Sequence, residues 1–220
     1  MISAKDVKRL RDMTGAGMMD CKKALTEANG DFEAAIDFLR KKGQKVSAKR
    51  SDREAKEGVI VTAVTADGAA GAIAEVNCET DFVARNDEFQ TFADAVVALV
   101  LSERPADLDA LKSMSLGSGS TLAVALEEMT GKIGEKIDIR RFAVVNAKSG
   151  GKVIAYVHPG SRLGVLVELK GNGSLEDVGR DVAMQVAAMN PVATRREEVD
   201  STLQEKEMEI AREVARNEGK

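Results

Sequence analysis

Aromatic side chains are nearly missing from this chain: 220 residues hold no Trp, one Tyr and six Phe. A core made here must come from Val, Ile, Leu, Ala and Met. Cysteine is as scarce. Cys21 and Cys78 stand far apart and neither sits in a C-x-x-C pair, which argues against a structural zinc site or a disulfide framework and fits a reducing compartment. His158 is the only histidine, with no second His, Cys or acid at ligand spacing, so no metal site is expected. No apolar run approaches the length that spans a bilayer. The first residues, Met1-Ile2-Ser3-Ala4-Lys5-Asp6, carry no apolar leader, and the chain reads as cytoplasmic with no membrane partner. A basic excess is also lacking: 32 Lys and Arg face 36 Asp and Glu, a net charge of −4. That argues against a dedicated nucleic-acid binder. Catalytic signatures are absent too. There is no nucleophile–base pair and no G-x-S-x-G, and Gly131-Lys132 lacks the second glycine and the following Ser or Thr of a phosphate loop. The expectation is a protein that is not an enzyme and holds no cofactor.

What is present is periodicity. Residues 3–43 read as three short helices. Ser3 and Asp6 form a capping-box pattern, and Val7, Leu10 and Met13 give the first helix an apolar side. Thr14-Gly15-Ala16-Gly17 breaks it. Cys21, Ala24, Leu25 and Ala28 stripe the second helix. Asp31 caps the third, striped by Phe32, Ala35, Ile36 and Leu39 and expected to stop at Gly43. Residues 1–45 are therefore expected to form a three-helix module resembling a ubiquitin-associated domain. Residues 46–57, with Lys49, Arg50, Arg53 and Lys56, read as a charged linker.

Beyond residue 58 the chain repeats itself. Two hairpin patterns run from Gly58 and from Gly151, and at one offset of 93 positions Gly58 falls on Gly151, Gly71 on Gly164 and Glu75 on Glu168. Each hairpin precedes a helix: residues 87–101 with Phe89, Phe92, Ala93, Val96, Val97 and Val100, and residues 175–189 with Val178, Val182, Gln185 and Val186 near one face. Between them lie a helix near 108–114, a flexible joint at 116–120, a helix capped by Thr121, and a strand over 137–145. The fold class is α+β: the helical module, then two duplicated subdomains over 58–145 and 146–194, each a small antiparallel sheet packed with helices. A charged helix over 195–220 closes the chain.

One stretch breaks its own pattern. Ala72, Ala74 and Val76 alternate with Ile73 and Glu75 as a strand does. Then Asn77, Thr80 and Asp81 favour a turn, and Phe82 follows just before the next helix. On these residues alone two readings stand. Phe82 drops into the core and Asp81 caps something, or the pair forms an exposed acid–aromatic wedge aimed at another protein. Met18 and Met19 pose the same choice, because adjacent helical positions cannot both face one interior: core filler or adaptable contact, with Lys23 as a polar companion. His158 at the second hairpin tip is either a plain turn residue or a contact.

Four in-order motifs carry a resemblance. Glu79-Thr80-Asp81-Phe82-Val83-Ala84-Arg85-Asn86 resembles the signature loop of the bacterial elongation factor Ts family, nucleotide-exchange factors for the translational GTPase elongation factor Tu. The runs from Arg11 to Leu25, Lys132 to Arg141 and Tyr156 to Val165 are similar to the same family. The resemblance implies a partner, elongation factor Tu in its GDP-bound and nucleotide-free forms. It implies that Thr80, Asp81, Phe82 and Val83 disturb the GTPase's magnesium and phosphate site so that GDP leaves. It also implies that Met18, Met19, Lys23 and His158 are further contacts. Such chains continue past a Glu-Gly-Lys with another basic helix, where this one ends at Lys220, as a short form or a truncated chain; a homodimer is left open. The alternative is a helix- or ubiquitin-type binding adaptor without exchange activity.

Overall fold

A computed structural model describes residues 2–117 and 119–219; Met1, Lys220 and Ser118 of the expected joint lie outside the described residues. Three helices open the chain: α1 (Ala4–Thr14), α2 (Met18–Glu27) and α3 (Phe32–Arg50). The capping box at the start of α1 is formed, with Ser3 and Asp6 each accepting from the other's backbone N–H, and Gly15 ends the helix in the left-handed region. The Asp31 side chain accepts from Ala34 N at the start of α3. Val7, Leu10, Cys21, Ala24, Leu25 and Ala35 form this module's core, with Phe32, Ile36 and Leu39 against it. Met13, expected on the apolar side of α1, is exposed instead.

The third helix does not stop at Gly43. It runs on to Arg50, through the first part of the segment expected to be a linker. Gly43 is a contact rather than a terminator. It meets Gly131 of α7 (Leu122–Ile133), and a Cβ at Gly131 would land on the Gly43 Cα. Two glycines at one crossing bring the helix backbones together, so tertiary packing overrides the glycine's weak helix propensity.

The rest of the chain stacks in layers. Strands β1 (Glu57–Val64), β2 (Ala70–Cys78) and β3 (Asp138–Asn146) form one antiparallel sheet in that order. β4 (Gly151–Val157) and β5 (Gly164–Lys170) form a second. Alternation assigns the faces of the first sheet. Val59, Ala72, Ala74, Val76 and Cys78 point into the main core, where α5 (Asp87–Glu103) brings Phe89, Phe92, Ala93, Val96, Val97 and Val100. α6 (Leu108–Ser113) and α7 add Leu111, Leu122 and Leu126. The expected joint is tied across its ends: Ser115 bridges Thr121, and Leu116 N donates to Ser120 O at 3.0 Å. The opposite face of β1–β2 meets the second sheet, and α8 (Glu176–Met189) covers that sheet's far side. The buried side of α8 is Gly179 and Ala183, while Val178 and Val182 are exposed. Gly179 sits so near Ile154 that an added Cβ would lie 2.6 Å from Ile154 Cγ1. Close approach therefore chose the small-residue face over the apolar one. The tail helix α9 begins at Ser201 (Ser201–Asn217), later than expected, after a turn of 3-10 helix at Arg196–Glu198.

The two halves touch reciprocally. Val153 N donates to Gly68 O at 2.8 Å, and Ile60 N donates to Ser161 O at 2.6 Å. Ile60 and Val153 are 93 positions apart, as are Gly68 and Ser161. The side chains follow suit. Gly71 lies under Val153 and Leu166, and Gly164 under Ile60 and Ile73. One outward N–H of β1 and one of β4 are thus each closed by the turn of the other hairpin. Of the glycine pairs that suggested a repeat in the sequence, Gly71 and Gly164 are the points where each hairpin makes room for its counterpart, while Gly58 and Gly151 pack within their own hairpins.

Candidate functional site

The strand-to-helix handover after β2 is a single short turn, α4 (Asp81–Ala84), capped by Thr80, whose Oγ1 accepts from Val83 N. Phe82 stands on this turn with 82 % of its surface exposed, more than any other large apolar residue among those described. Val83 next to it is half-buried against the main core, and Ala84 is buried. The turn thus puts one ring out and roots itself with the next two side chains. Asp81 is half-exposed and pairs with Arg85 one turn on, Oδ2 to Nη2 3.0 Å. An aromatic ring in water gives up the burial that normally fixes its place, about 1.5–3 kcal/mol for a phenylalanine.

Two carboxylates lie at the start of the turn. Glu135 accepts from both polar groups of Thr80: N to Oε2 3.0 Å and Oγ1 to Oε1 2.7 Å. Glu79 accepts from Lys136 N at 2.6 Å, and Arg50 Nη1 reaches both of its oxygens at 2.8 Å. The Lys136 ammonium in turn donates to Ser51 O at 2.7 Å. Burial pushes the Glu79 carboxyl up. The Lys136 N–H and the Arg50 guanidinium outweigh it and leave the group below the usual glutamate value, so it is ionised at neutral pH. Beneath the turn the Cys78 thiol donates to Thr80 O at 3.1 Å. Burial, with the nearby Glu135 charge, pushes that thiol up to about 12, so it is a hydrogen-bonding group and not a nucleophile.

The other expected contacts stand on separate elements. Met18 and Met19 open α2 and both are exposed, Met19 by 74 %, with Lys23 exposed one turn later. Asp20 between them pairs with Lys42 of α3, which fixes the start of α2. His158 caps the β4 hairpin and is exposed. The Tyr156 hydroxyl lies 2.8 Å from its Nδ1, and His158 N donates to Leu163 O at 2.8 Å. The same turn is anchored to β1 by the Ile60–Ser161 bond and by the Arg162–Glu57 ion pair. Reading the sequence missed Arg50, Glu135 and Lys136. Arg50 is hidden in a charge-rich run that looks like solvated linker, and the pairing of Glu135 with Thr80 spans 55 positions. Among the described residues no cluster of three or more His, Cys, Asp or Glu could hold a metal ion, and no helix is long and apolar enough to cross a membrane.

Comparison with known proteins places the chain in a family. The profile of the family described as Elongation factor TS matches residues 79–220, beginning at the glutamate that anchors the turn. Elongation factor Ts of Chloroherpeton thalassium is 50 % identical over 224 aligned residues, covering all of this chain and 77 % of the relative. The Elongation factor Ts proteins of Chlorobium phaeobacteroides and Cytophaga hutchinsonii are 49 % and 47 % identical, again over the whole chain and over 77 % and 78 % of their own lengths. Identity at this level along the full chain, with the family profile across its greater part, means that the chain belongs to the elongation factor Ts family of translation elongation factors, which have a nucleotide-exchange role.

Proposed function

We propose that this chain binds elongation factor Tu in its GDP form and pries at the magnesium and phosphate site through the Thr80-Asp81-Phe82-Val83 turn. The observation that carries this reading is the Phe82 ring, 82 % exposed on a turn otherwise rooted in the core. A GTPase holds its diphosphate with a phosphate loop and a magnesium ion whose ligands are partly water and side chains. An exchange factor must bind the empty GTPase better than the loaded one, and by reciprocity it weakens nucleotide by the factor that nucleotide weakens it. Phe82 would push between packed side chains near the ion, and Asp81 would engage polar groups beside them. Met18, Met19 and Lys23 on one side and His158 on the other would supply grip. No bond is made or broken in this role, and its place is the cytoplasm. The adaptor alternative is not favoured, because likeness along the whole of this chain runs to proteins named as elongation factors.

The test is release of fluorescent GDP from elongation factor Tu at saturating factor. Phe82→Ala is expected to slow stimulated release by about tenfold or more, with a smaller loss in affinity for the nucleotide-free GTPase. Release as fast as with the unaltered chain would remove the wedge assignment. Met19→Ala and His158→Ala are expected to weaken complex formation and leave the saturated rate nearly unchanged.

A further inference from the structure

We infer that Arg50 and Glu135 are positioning residues for the exchange turn, and that the overrun of α3 past Gly43 is the strut that delivers one of them. This inference rests on the wedge reading above. The geometry is a clamp with two jaws. Glu135, in the loop between α7 and β3, takes both the amide and the hydroxyl of Thr80. Its neighbour Lys136 gives its amide to Glu79, the residue before Thr80, while Arg50 closes on the same carboxylate from the last turn of α3. Lys136 Nζ then ties to Ser51 O, so the end of α3 and the 135–136 loop are bonded to each other as well as to the turn. Two consecutive residues of the turn are each held by a carboxylate contact with a partner more than 25 positions away in sequence.

The strut exists because of the glycine crossing. Gly43 and Gly131 lock α3 against α7, and from Gly43 the helix continues seven residues to Arg50, about 10 Å at 1.5 Å per residue. The helix that shares its core with α2 thus ends at the base of the Phe82 turn. The Met18–Met19 surface and the wedge are two ends of one rigid path. Charge-assisted hydrogen bonds of this kind are worth roughly twice neutral ones. Glu79 is held mostly out of solvent, with 17 % of its side chain exposed, so screening weakens the pair less than on an open surface. A wedge that must displace packed side chains can use only the stiffness its support provides, and misplacement by about 1 Å can cost on the order of a hundredfold in rate.

Two measurements on the full chain test this. In the free protein, Glu135→Ala and Arg50→Ala are expected to speed amide hydrogen exchange over residues 79–85 by about tenfold or more, while protection of α5 stays unchanged. Glu135→Gln, which keeps a single acceptor oxygen, should fall between. In GDP release from elongation factor Tu, both alanine variants are expected to lower the saturated rate with little change in the half-saturating concentration. A role in stability alone would instead leave the rate per folded molecule unaltered. Unchanged exchange over residues 79–85 overturns the clamp. Loosening of the turn with an unaltered saturated rate, in a preparation where Phe82→Ala does slow release, overturns its part in exchange. If Phe82→Ala leaves release unaltered, the wedge reading fails and takes the exchange half of this inference with it. The hydrogen-exchange arm then still decides whether the clamp holds the turn.

Discussion

Single residues at this site do opposite things within a few positions. Phe82 is exposed, Val83 half-buried and Ala84 buried, so one short turn separates a projecting ring from its own foundation. Cys78 shows how little a residue type says without its surroundings. A lone cysteine in a sequence leaves reactivity open, but here burial and the Glu135 charge hold the thiol protonated, and it serves the turn by donating to Thr80 O. Cys21 is likewise buried, and its thiol is raised by burial. Neither sulfur is therefore expected to react with a thiol-specific reagent at pH 8 in the native protein. Both should label together on unfolding in denaturant, and fast labelling of one in the native state would contradict its burial.

Elements show where a sequence pattern and the fold part company. The stripes of α2 and α5, and Val7 and Leu10 of α1, were legible because each helix has a polar face to contrast with its apolar one. The end of α3 was not. A glycine after an apolar stripe reads as a terminator, and only the presence of Gly131 on a helix almost ninety positions away makes it a crossing point. The sign of a substitution separates the two roles. In an isolated helix Gly131→Ala would stabilise by roughly 1 kcal/mol. Here the new Cβ falls on the Gly43 backbone, and overpacking of that kind costs about 1–3 kcal/mol. A lowered Tm is therefore expected by differential scanning fluorimetry, together with faster proteolysis across residues 51–56. A raised Tm would mean that the helices yield without cost. In α8 the apolar residues Val178 and Val182 were the visible stripe, yet Gly179 and Ala183 face the sheet, because only small side chains let the helix reach Ile154.

At the scale of the whole molecule the repeat becomes an interface. Its two hydrogen bonds and its two glycine contacts are exchanged between halves at the same 93-position offset. That reciprocity fixes one hairpin against the other, and with it the His158 turn against the sheet that leads to Phe82. Gly71→Ala would bring a Cβ to 2.6 Å from Val153 Cγ1, and Gly164→Ala to 2.5 Å from Ile60 Cγ2. Both are expected to destabilise by about 1–3 kcal/mol and by similar amounts, read as a shift of the urea midpoint. If one is tolerated and the other is not, the two contacts are not equivalent.

The amino-acid sequence by itself determined the helices with clean stripes, their caps at Ser3, Asp31 and Thr121, the two hairpins and the position of the Phe82 turn. All of these rest on interactions within a few residues or on a period that repeats along the chain. What only the tertiary structure decided is which way Phe82 faces, where α3 ends, and that Arg50, Glu135 and Lys136 serve the turn. Those outcomes depend on partners tens of positions away. A carboxylate or a glycine carries no mark of the distant group it will meet.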